Sequence, residues 1–223
     1  TASDLVDGPV AVSCDVPSGG FPVGTTVVNC STADGRTPPN TAQTSFSVTI
    51  TDNTAPVLTP VTNISLEATA ALTPISYTTT ASDLVDGSLP VSCLPAEMSY
   101  AVGTRTVTCS ATDAAENTGS TSFSVTITDS TAPVVAAVAN ISLEATGALT
   151  TVSYSTTASD LVDGDNLAAT CSPVSGSGFG VGTTPVTCST TDTAENTGST
   201  SFDVIITDST APVVAAVANI SLE

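Results

Sequence analysis

Acidic side chains of the central part of the chain concentrate in two loops and one linker. Carboxylates gathered in one place repel one another unless a cation lies between them. Ca²⁺ accepts about six to eight oxygen ligands from such side chains and from loop carbonyls. The sequence therefore predicts a calcium site. Its candidate ligands are Asp52, Asp83, Asp86, Asp113, Glu116 and Asn117.

The same residue types recur about one domain further along, and more sparsely near the start of the chain. The second candidate set is Asp129, Asp160, Asp163, Asp192, Glu195 and Asn196. The sparser set is Asp4, Asp7 and Asp34, for which Asp208 is the matching linker carboxylate. A second interpretation stays open, because Asp and Asn are ordinary turn residues and close copies of one sequence repeat them without any metal.

The chain has few of the side-chain types on which catalysis usually depends. The chain has no His and no Lys, so the common general bases and activated nucleophiles cannot be assembled. Its formal net charge is -19, and Arg36 and Arg105 are the only basic residues. Nucleic acids and anionic membrane surfaces would repel such a protein. We expect neither an enzyme, nor a nucleic-acid-binding protein, nor a chain that inserts into a membrane.

Six cysteines fall into three pairs along the chain. The pairs are Cys14 with Cys30, Cys93 with Cys109, and Cys171 with Cys188. One pair in each repeat makes disulfides within the repeats the most economical pairing. Without His or a Cys-x-x-Cys spacing a zinc site is disfavoured. Disulfides indicate an oxidising compartment, so we expect an extracellular or cell-surface location.

Apolar and polar residues alternate along short segments. Phe123, Val125 and Ile127 alternate with polar neighbours, as do Val107 and Cys109. This period of two predicts strands with one buried face, and turn residues separate them at short intervals. Six or seven short strands with one disulfide predict an all-β chain of tandem immunoglobulin-like β-sandwich domains.

A linker motif, Thr-Asp-Asn/Ser-Thr-Ala-Pro-Val, divides the chain into repeats. It begins at Thr51, Thr128 and Thr207, so its copies lie 77 and 79 residues apart. A period of that size indicates whole domains in tandem. The predicted boundaries are 1–52 for an incomplete domain without its first strands, 53–129 and 130–208 for two complete domains, and 209–223 for the first strand of a further domain.

The cysteine-bearing hairpins resemble a known family. Val12-Ser13-Cys14, Phe21-Pro22-Val23-Gly24-Thr25-Thr26 and Val28-Asn29-Cys30 are similar to the hyalin repeat (HYR) domain, and the third repeat carries the same motifs. The cysteine of the family's Asp-x-Cys-Asp-Gly loop is absent, and Glu116 and Glu195 stand where a glycine is common. The resemblance implies an immunoglobulin-like fold and a role in extracellular adhesion or matrix.

An immunoglobulin-like topology predicts where the acidic loops meet. In that fold one loop after a main strand and the last hairpin loop lie at the end where the linker enters. The candidate ligands of each repeat would then converge at the joint with the preceding repeat. Calcium bound there would stiffen a string of domains into a rod, which we expect to be a structural or adhesive element.

The two ends of the sequence suggest a partner. Residues 209–223 match a first strand, and residues 1–52 match a domain without its first strands. The tail of one copy would then complete the head of the next by strand donation, giving a head-to-tail filament. An alternative explanation of the same ends is that these residues are an arbitrary part of a longer repetitive chain. The partners are then neighbouring repeats.

Four sequons mark candidate glycosylation sites. Asn63, Asn140 and Asn219 each begin an Asn-Ile-Ser triplet, whereas Asn29 lies beside a cysteine and is a weaker candidate. Exposed Ser and Thr faces suit O-linked sugar equally well. They also suit an alternative function, a cell-surface module that binds carbohydrate or ice.

Overall fold

The chain is all-β. The structure, a computed structural model, describes residues 1–221 and holds no helix among them. Within that part of the chain, no helix has the length and apolarity needed to cross a membrane. The predicted fold class is confirmed.

Residues 1–221 form twenty-three strands, which divide among the three repeats of the sequence. The first repeat has β1 (Ala2–Asp4), β2 (Gly8–Val10), β3 (Ser13–Cys14), β4 (Gly24–Ala33) and β5 (Thr41–Ile50). The second has β6 (Val57–Leu58), β7 (Ile64–Glu67), β8 (Thr73–Pro74), β9 (Ala81–Asp83), β10 (Gly87–Leu89), β11 (Ser92–Leu94), β12 (Ser99–Tyr100), β13 (Gly103–Thr112) and β14 (Thr118–Thr128). The third has β15 (Val134–Val135), β16 (Ile141–Glu144), β17 (Thr150–Thr151), β18 (Thr157–Asp160), β19 (Gly164–Ala168), β20 (Thr170–Ser172), β21 (Gly178–Phe179), β22 (Gly182–Thr191) and β23 (Thr197–Thr207).

These strands belong to two compact units. One comprises residues 1–61, 78–95 and 108–122, and the other comprises residues 62–77, 96–107 and 123 onward. The candidate ligands Asp52 to Asn117 all lie in the first unit, and those from Asp129 to Asn196 all lie in the second. Each candidate site is therefore built within a single unit.

The third repeat contains a complete β-sandwich. Its four-stranded sheet has the order β16-β23-β22-β20, and a three-stranded sheet has the order β15-β18-β19. The first of these sheets is mixed, since β16 pairs in parallel with β23 while β22 and β23 form a long antiparallel hairpin. The second repeat repeats both strand orders. In both repeats the loop of the last hairpin carries some of the candidate ligands.

Alternation along the strands builds the core of the third repeat. Val186 and Cys188 of β22 and Phe202, Val204 and Ile206 of β23 are buried, while their neighbours face outward. Burying such side chains contributes about 1.5–3 kcal/mol each relative to leaving them exposed. Tyr154 packs edge to face against Phe202, with ring centroids 5.1 Å apart. This core fixes the two sheets from which the acidic loops project.

All three predicted disulfides are present. Each joins two residues that lie directly opposite each other on neighbouring antiparallel strands, with Cα atoms about 4 Å apart. The bridges therefore lie within one sheet and do not cross the sandwich. Cys109 and Cys188 are fully buried, whereas their partners lie towards the sheet edge.

The first repeat has an open apolar face. Phe46 is 50% exposed, whereas Phe202 at the matching position of the third repeat is 4% exposed. Ile50 is likewise half-exposed, and Ile206 is buried. In the second and third repeats the matching phenylalanines, Phe123 and Phe202, pack edge to face against Tyr77 and Tyr154. The boundary of 1–52 for an incomplete first domain stays a prediction.

The segment after the third repeat has no regular structure where it is described. Residues 208–221 form no strand, and the last two residues of the strand predicted within 209–223 lie outside the described residues. In the third repeat, the matching strand β16 pairs with β23, the last strand of its own repeat.

Tyr100 supplies a first stability prediction. Its side chain is 4% exposed, and its buried hydroxyl has no hydrogen-bond partner among residues 1–221. Burial raises its pKa above the usual value. Phe179 is the matching residue of the third repeat. We expect Tyr100→Phe to stabilise the second repeat by about 1 kcal/mol, because it removes an unpaired buried polar group. Urea unfolding measures this, with Phe179→Tyr as the reverse change. A destabilised Tyr100→Phe chain would contradict the expectation.

Candidate cation sites at the repeat joints

Four carboxylates of the predicted set meet at the joint that precedes the second repeat. Asp52 lies in the linker, Asp83 and Asp86 flank the turn after β9, and Asp113 begins the loop between β13 and β14. One oxygen of each lies within 4.8 Å of the others. The sequence prediction that these loops converge at the linker agrees with this geometry.

Local hydrogen bonds hold each carboxylate in place. Asp83 Oδ1 accepts the backbone N–H groups of Val85 (2.7 Å) and Asp86 (3.1 Å), which closes the turn. Asp113 accepts both the backbone N–H and the side-chain Nδ2 of Asn117, each at 2.8 Å. The Nδ2 of Asn117 also donates to the backbone oxygen of Asp52 at 3.2 Å. Asn117 therefore ties the hairpin loop to the linker.

The joint before the third repeat repeats this pattern with one difference. Oxygens of Asp129, Asp160 and Asp163 lie within 4.8 Å of one another, but Asp192 is not part of that group. Asn196 donates to Asp192 (2.9 Å) and to the backbone oxygen of Asp129 (3.2 Å), as Asn117 does in the second repeat.

The two joints also differ at the residue that contacts the second aspartate of the turn. The hydroxyl of Thr193 lies 2.9 and 3.1 Å from the two carboxylate oxygens of Asp163. Ala114 stands at the matching position of the second repeat and has no hydroxyl to offer. Asp86 there accepts only the backbone N–H of Ala114, at 3.3 Å. Asp163 is therefore more fully hydrogen-bonded than Asp86.

Unpaired buried oxygens are the feature that best marks these joints. The Oδ2 atoms of Asp52, Asp83, Asp129 and Asp160 are buried and accept no hydrogen bond among the described residues. Burial raises the pKa of Asp129 above its usual value, and the neighbouring charges of Asp160 and Asp192 add to the shift. A buried carboxylate oxygen without a donor is costly. A hard divalent cation fits such an all-oxygen set.

The two predicted glutamate ligands also lie outside the groups. Glu116 and Glu195 adopt left-handed backbone conformations, with φ of 69° and 70°. Neither belongs to a group of converging carboxylates, and the Glu116 side chain is exposed. The glycine common at this position in similar repeats suits such a φ, because glycine has no Cβ to clash with the backbone.

We expect Glu116→Gly to stabilise the second repeat by about 1 kcal/mol, because a left-handed conformation strains residues other than glycine. Calcium affinity should stay unchanged if Glu116 is no ligand. Thermal unfolding with and without calcium measures both quantities. A loss of calcium binding would restore Glu116 to the ligand set.

The first repeat brings together fewer of its predicted residues. Asp4 accepts the backbone N–H groups of Val6 and Asp7, as Asp83 does in its own turn. Asp34 accepts the side chain and backbone of Asn40, which lowers its pKa, and Arg36 lies 3.8 Å away. Among the described residues these carboxylates form no converging group. Asp208, in the last linker, accepts only the N–H of Thr210.

Sequence reasoning missed two further kinds of joint residue. Glu67 and Glu144 reach from the ends of β7 and β16 to the following linker. Gly119 and Gly198 lie against the linker carbonyls of Pro56 and Pro133. In the sequence these residues lie in the repeated motifs Ile-Ser-Leu-Glu and Asn-Thr-Gly. Duplication of a repeat copies such motifs whether or not they have a role, so their recurrence did not identify them as joint residues.

The asparagine side chains of the sequons make different hydrogen bonds. Asn63 Oδ1 accepts the N–H of Ser124, and Asn140 Oδ1 accepts the N–H of Asp203, each at 2.9 Å. The Nδ2 of Asn29 instead donates to Asp15 at 3.0 Å. A sugar on Asn29 would compete with that bond, so Asn29 stays the weakest of the candidates. Asn219 is exposed.

The recurring hairpin, disulfide and joint correspond to a known family. Residues 51–127 and 128–206 each match the family model of the HYR domain. The chain belongs to the HYR domain family. The resemblance inferred from the cysteine-bearing motifs is confirmed. Two HYR domains in tandem account for the two complete repeats.

Proteins similar in sequence to this chain include staphylococcal adhesins. A serine-rich adhesin for platelets from Staphylococcus aureus strain MRSA252 is 28% identical in sequence, and the match covers 70% of this chain and 13% of that protein. The adhesin of strain MSSA476 is also 28% identical, with 8% of its length covered. The chain thus spans about a tenth of the length of these relatives.

Solved structures with similar folds contain cadherin domains. Mouse cadherin-23 EC22-24 has a TM-score of 0.34 and 15% identity, and the alignment covers 83% of this chain and 75% of that one. Protocadherin gamma B2 extracellular cadherin domains 1-5 have a TM-score of 0.35 and 14% identity, covering 89% and 51%.

Proposed function

We propose that this chain is part of an extracellular adhesive or structural protein in which calcium (Ca²⁺) stiffens the joints between HYR domains. The observation that carries the proposal is the set of buried, unpaired carboxylate oxygens at both joints. Each joint contains two of them, one from the linker and one from the turn of the repeat that follows.

Calcium would connect three parts of the structure at each joint. Asp52, Asp83, Asp86 and Asp113 would hold it before the second repeat, and Asp129, Asp160 and Asp163 would hold it before the third. The bound ion supplies positive charge that neutralises the carboxylates. The linker would then be fixed to the turn and, before the second repeat, to the hairpin loop. A fixed linker favours a rod over a string of freely jointed domains.

Other features support an extracellular and non-enzymatic role. Three disulfides suit an oxidising compartment. The staphylococcal relatives carry the name adhesin, although this chain covers a small part of them. The sequence also lacks the His and Lys side chains on which most catalytic sites depend.

The partners we propose are neighbouring repeats or other copies of this chain. In the third repeat Ile141 of β16 lies opposite Val204 of β23. Ile220 and Val48 are the matching residues of the tail and of the first repeat. Strand donation in the same register would bring Ile220 of one copy opposite Val48 of the next and would pair the open edge of β5.

The side chain of Ala42 is incompatible with the same linker geometry in a donated strand. It stands where the complete repeats have Gly119 and Gly198, and a Cβ on Gly198 would lie 1.7 Å from the carbonyl oxygen of Pro133. The linker of a second copy must therefore lie further from β5. We accordingly favour the rod over the filament. Sedimentation over a range of concentrations distinguishes them, because only a filament grows with concentration.

A ligand-binding surface is the second candidate function. The residues of β13 whose side chains point away from the core are all hydroxylic: Thr104, Thr106, Thr108, Ser110 and Thr112. Hydroxyls also pair across strands, with Thr104 Oγ1 3.1 Å from Thr126 Oγ1 and Thr25 Oγ1 3.0 Å from Thr49 Oγ1. Such a face suits carbohydrate or ice.

Small-angle X-ray scattering of the whole chain tests the rod. With calcium we expect a longer maximum dimension and a narrower distribution of conformations than with a chelator. The double variant Asp52→Asn/Asp129→Asn should scatter like the chelated chain in both conditions. Identical curves for the unaltered chain with and without calcium would refute calcium-stiffened joints.

A further inference from the structure

Glu67 connects the second repeat to the linker that follows it. Its Oε1 accepts the backbone N–H of Ser130 at 2.6 Å and the hydroxyl of Thr131 at 3.3 Å. Its Oε2 lies 3.4 Å from the hydroxyl of Thr128. One side chain at the end of β7 thus holds three positions around Asp129.

Glu144 makes the same contacts one repeat later. Its Oε1 accepts the N–H of Ser209 at 2.7 Å and the hydroxyl of Thr210 at 3.2 Å, and its Oε2 lies 3.4 Å from the hydroxyl of Thr207. The recurrence of all three contacts at a second joint makes them a property of the repeat. Both glutamates lie more than 60 residues from the linkers they hold.

The linker before the third repeat is consequently held from two sides. Glu67, from the preceding repeat, binds Ser130, and Asn196, from the following repeat, donates to the backbone oxygen of Asp129. Asp129 lies between these anchors, and one of its carboxylate oxygens belongs to the group with Asp160 and Asp163. Its Oδ2 is buried and has no hydrogen-bond partner among the described residues. Removing either anchor would let the Asp129 backbone shift away from Asp160 and Asp163.

We infer that Glu67 is a positioning residue of the cation site before the third repeat, supplied by the repeat that precedes this site. This inference rests on the calcium function proposed above. It deepens that function, because the affinity of a joint for calcium then depends on both repeats that meet there. A repeat that follows a domain without this glutamate should bind calcium more weakly than one that follows a domain with it.

Calcium titration of the whole chain by isothermal calorimetry tests the inference. We expect Glu67→Ala to weaken one of the two sites by about 10-fold, as is usual for residues that orient a ligand. The other site should keep its affinity. Glu67→Gln keeps an oxygen acceptor for Ser130, so it should restore the affinity to within about twofold of the unaltered chain. Glu97→Ala, which removes an exposed carboxylate elsewhere in the second repeat, is the control for net charge.

Hydrogen exchange in chelator gives a readout that does not depend on the metal. The Ser130 amide should exchange faster in Glu67→Ala than in Glu67→Gln or the unaltered chain, while the amides of the third-repeat core stay protected. An unchanged affinity in Glu67→Ala would overturn the inference, as would a Glu67→Gln chain as weak as Glu67→Ala. Absence of calcium binding to the unaltered chain would instead refute the proposed function itself, and the inference with it.

Discussion

Replacing Gly198 with alanine is expected to destabilise the third repeat by about 3 kcal/mol. An added Cβ would lie 1.7 Å from the carbonyl oxygen of Pro133 and 2.9 Å from its carbonyl carbon. Both obstacles are backbone atoms, so no side chain can rotate away to make room. Either the linker leaves β23 or the strand shifts, and both changes disturb the joint. Chemical unfolding followed by circular dichroism measures the loss.

Gly180 provides the matched control for this substitution. It lies in the same repeat, and a Cβ added there meets nothing within 4 Å. We expect Gly180→Ala to change the unfolding free energy by less than about 0.5 kcal/mol. Gly119→Ala should mimic Gly198→Ala in the second repeat, because its Cβ would lie 1.8 Å from the carbonyl oxygen of Pro56. Equal stability of Gly198→Ala and Gly180→Ala would show that the linker does not pack as described.

Loss of the third disulfide is expected to have an effect of similar size. The double variant Cys171→Ala/Cys188→Ala should destabilise its repeat by about 3 kcal/mol, because opening a loop of 17 residues restores entropy to the unfolded chain. Cys188 is also fully buried, so its truncation removes packing against the core. Thermal unfolding should show one transition at lower temperature.

The first repeat supplies the comparison for this variant. Cys14 is exposed and the neighbouring apolar face is open, so Cys14→Ala/Cys30→Ala removes a disulfide with less packing around it. We expect it to lower stability by less than the third-repeat variant does. A Cys171→Ala/Cys188→Ala chain that unfolds at the unaltered temperature would mean that the sandwich does not depend on its cross-strand bridge.

Much of the fold followed from local patterns in the sequence. Alternation along residues such as Phe123, Val125 and Ile127 predicts a strand with one buried face, and all three are buried. One cysteine pair per repeat predicted the disulfides, because no other pairing is as local. The meeting of Asp52 with Asp83 and Asp113 followed from the topology of immunoglobulin-like domains. These predictions needed only periodicity, spacing and the ends at which loops lie.

Other features depend on contacts that no local pattern encodes. Glu67 and Ser130 lie 63 residues apart, and their bond exists only because β7 runs parallel to β14 and ends beside the linker. Gly198 is required by a carbonyl that approaches from another segment. Glu116 was predicted as a ligand from its type and position, but its left-handed backbone and exposed side chain leave it outside the group.

Thermal unfolding of the oxidised chain with calcium and with a chelator, at fixed ionic strength, tests the joint sites most directly. At a free calcium concentration 100 times the dissociation constant, each site should add about 2.7 kcal/mol to the stability of the folded state. Asp15→Asn, which removes a carboxylate outside the joints, should keep the full shift, and Asp52→Asn/Asp129→Asn should lose it. The expected result is a clear rise in unfolding temperature with calcium. Superimposable melting curves for the unaltered chain would contradict calcium-stiffened joints and leave the acidic loops as solvated turns.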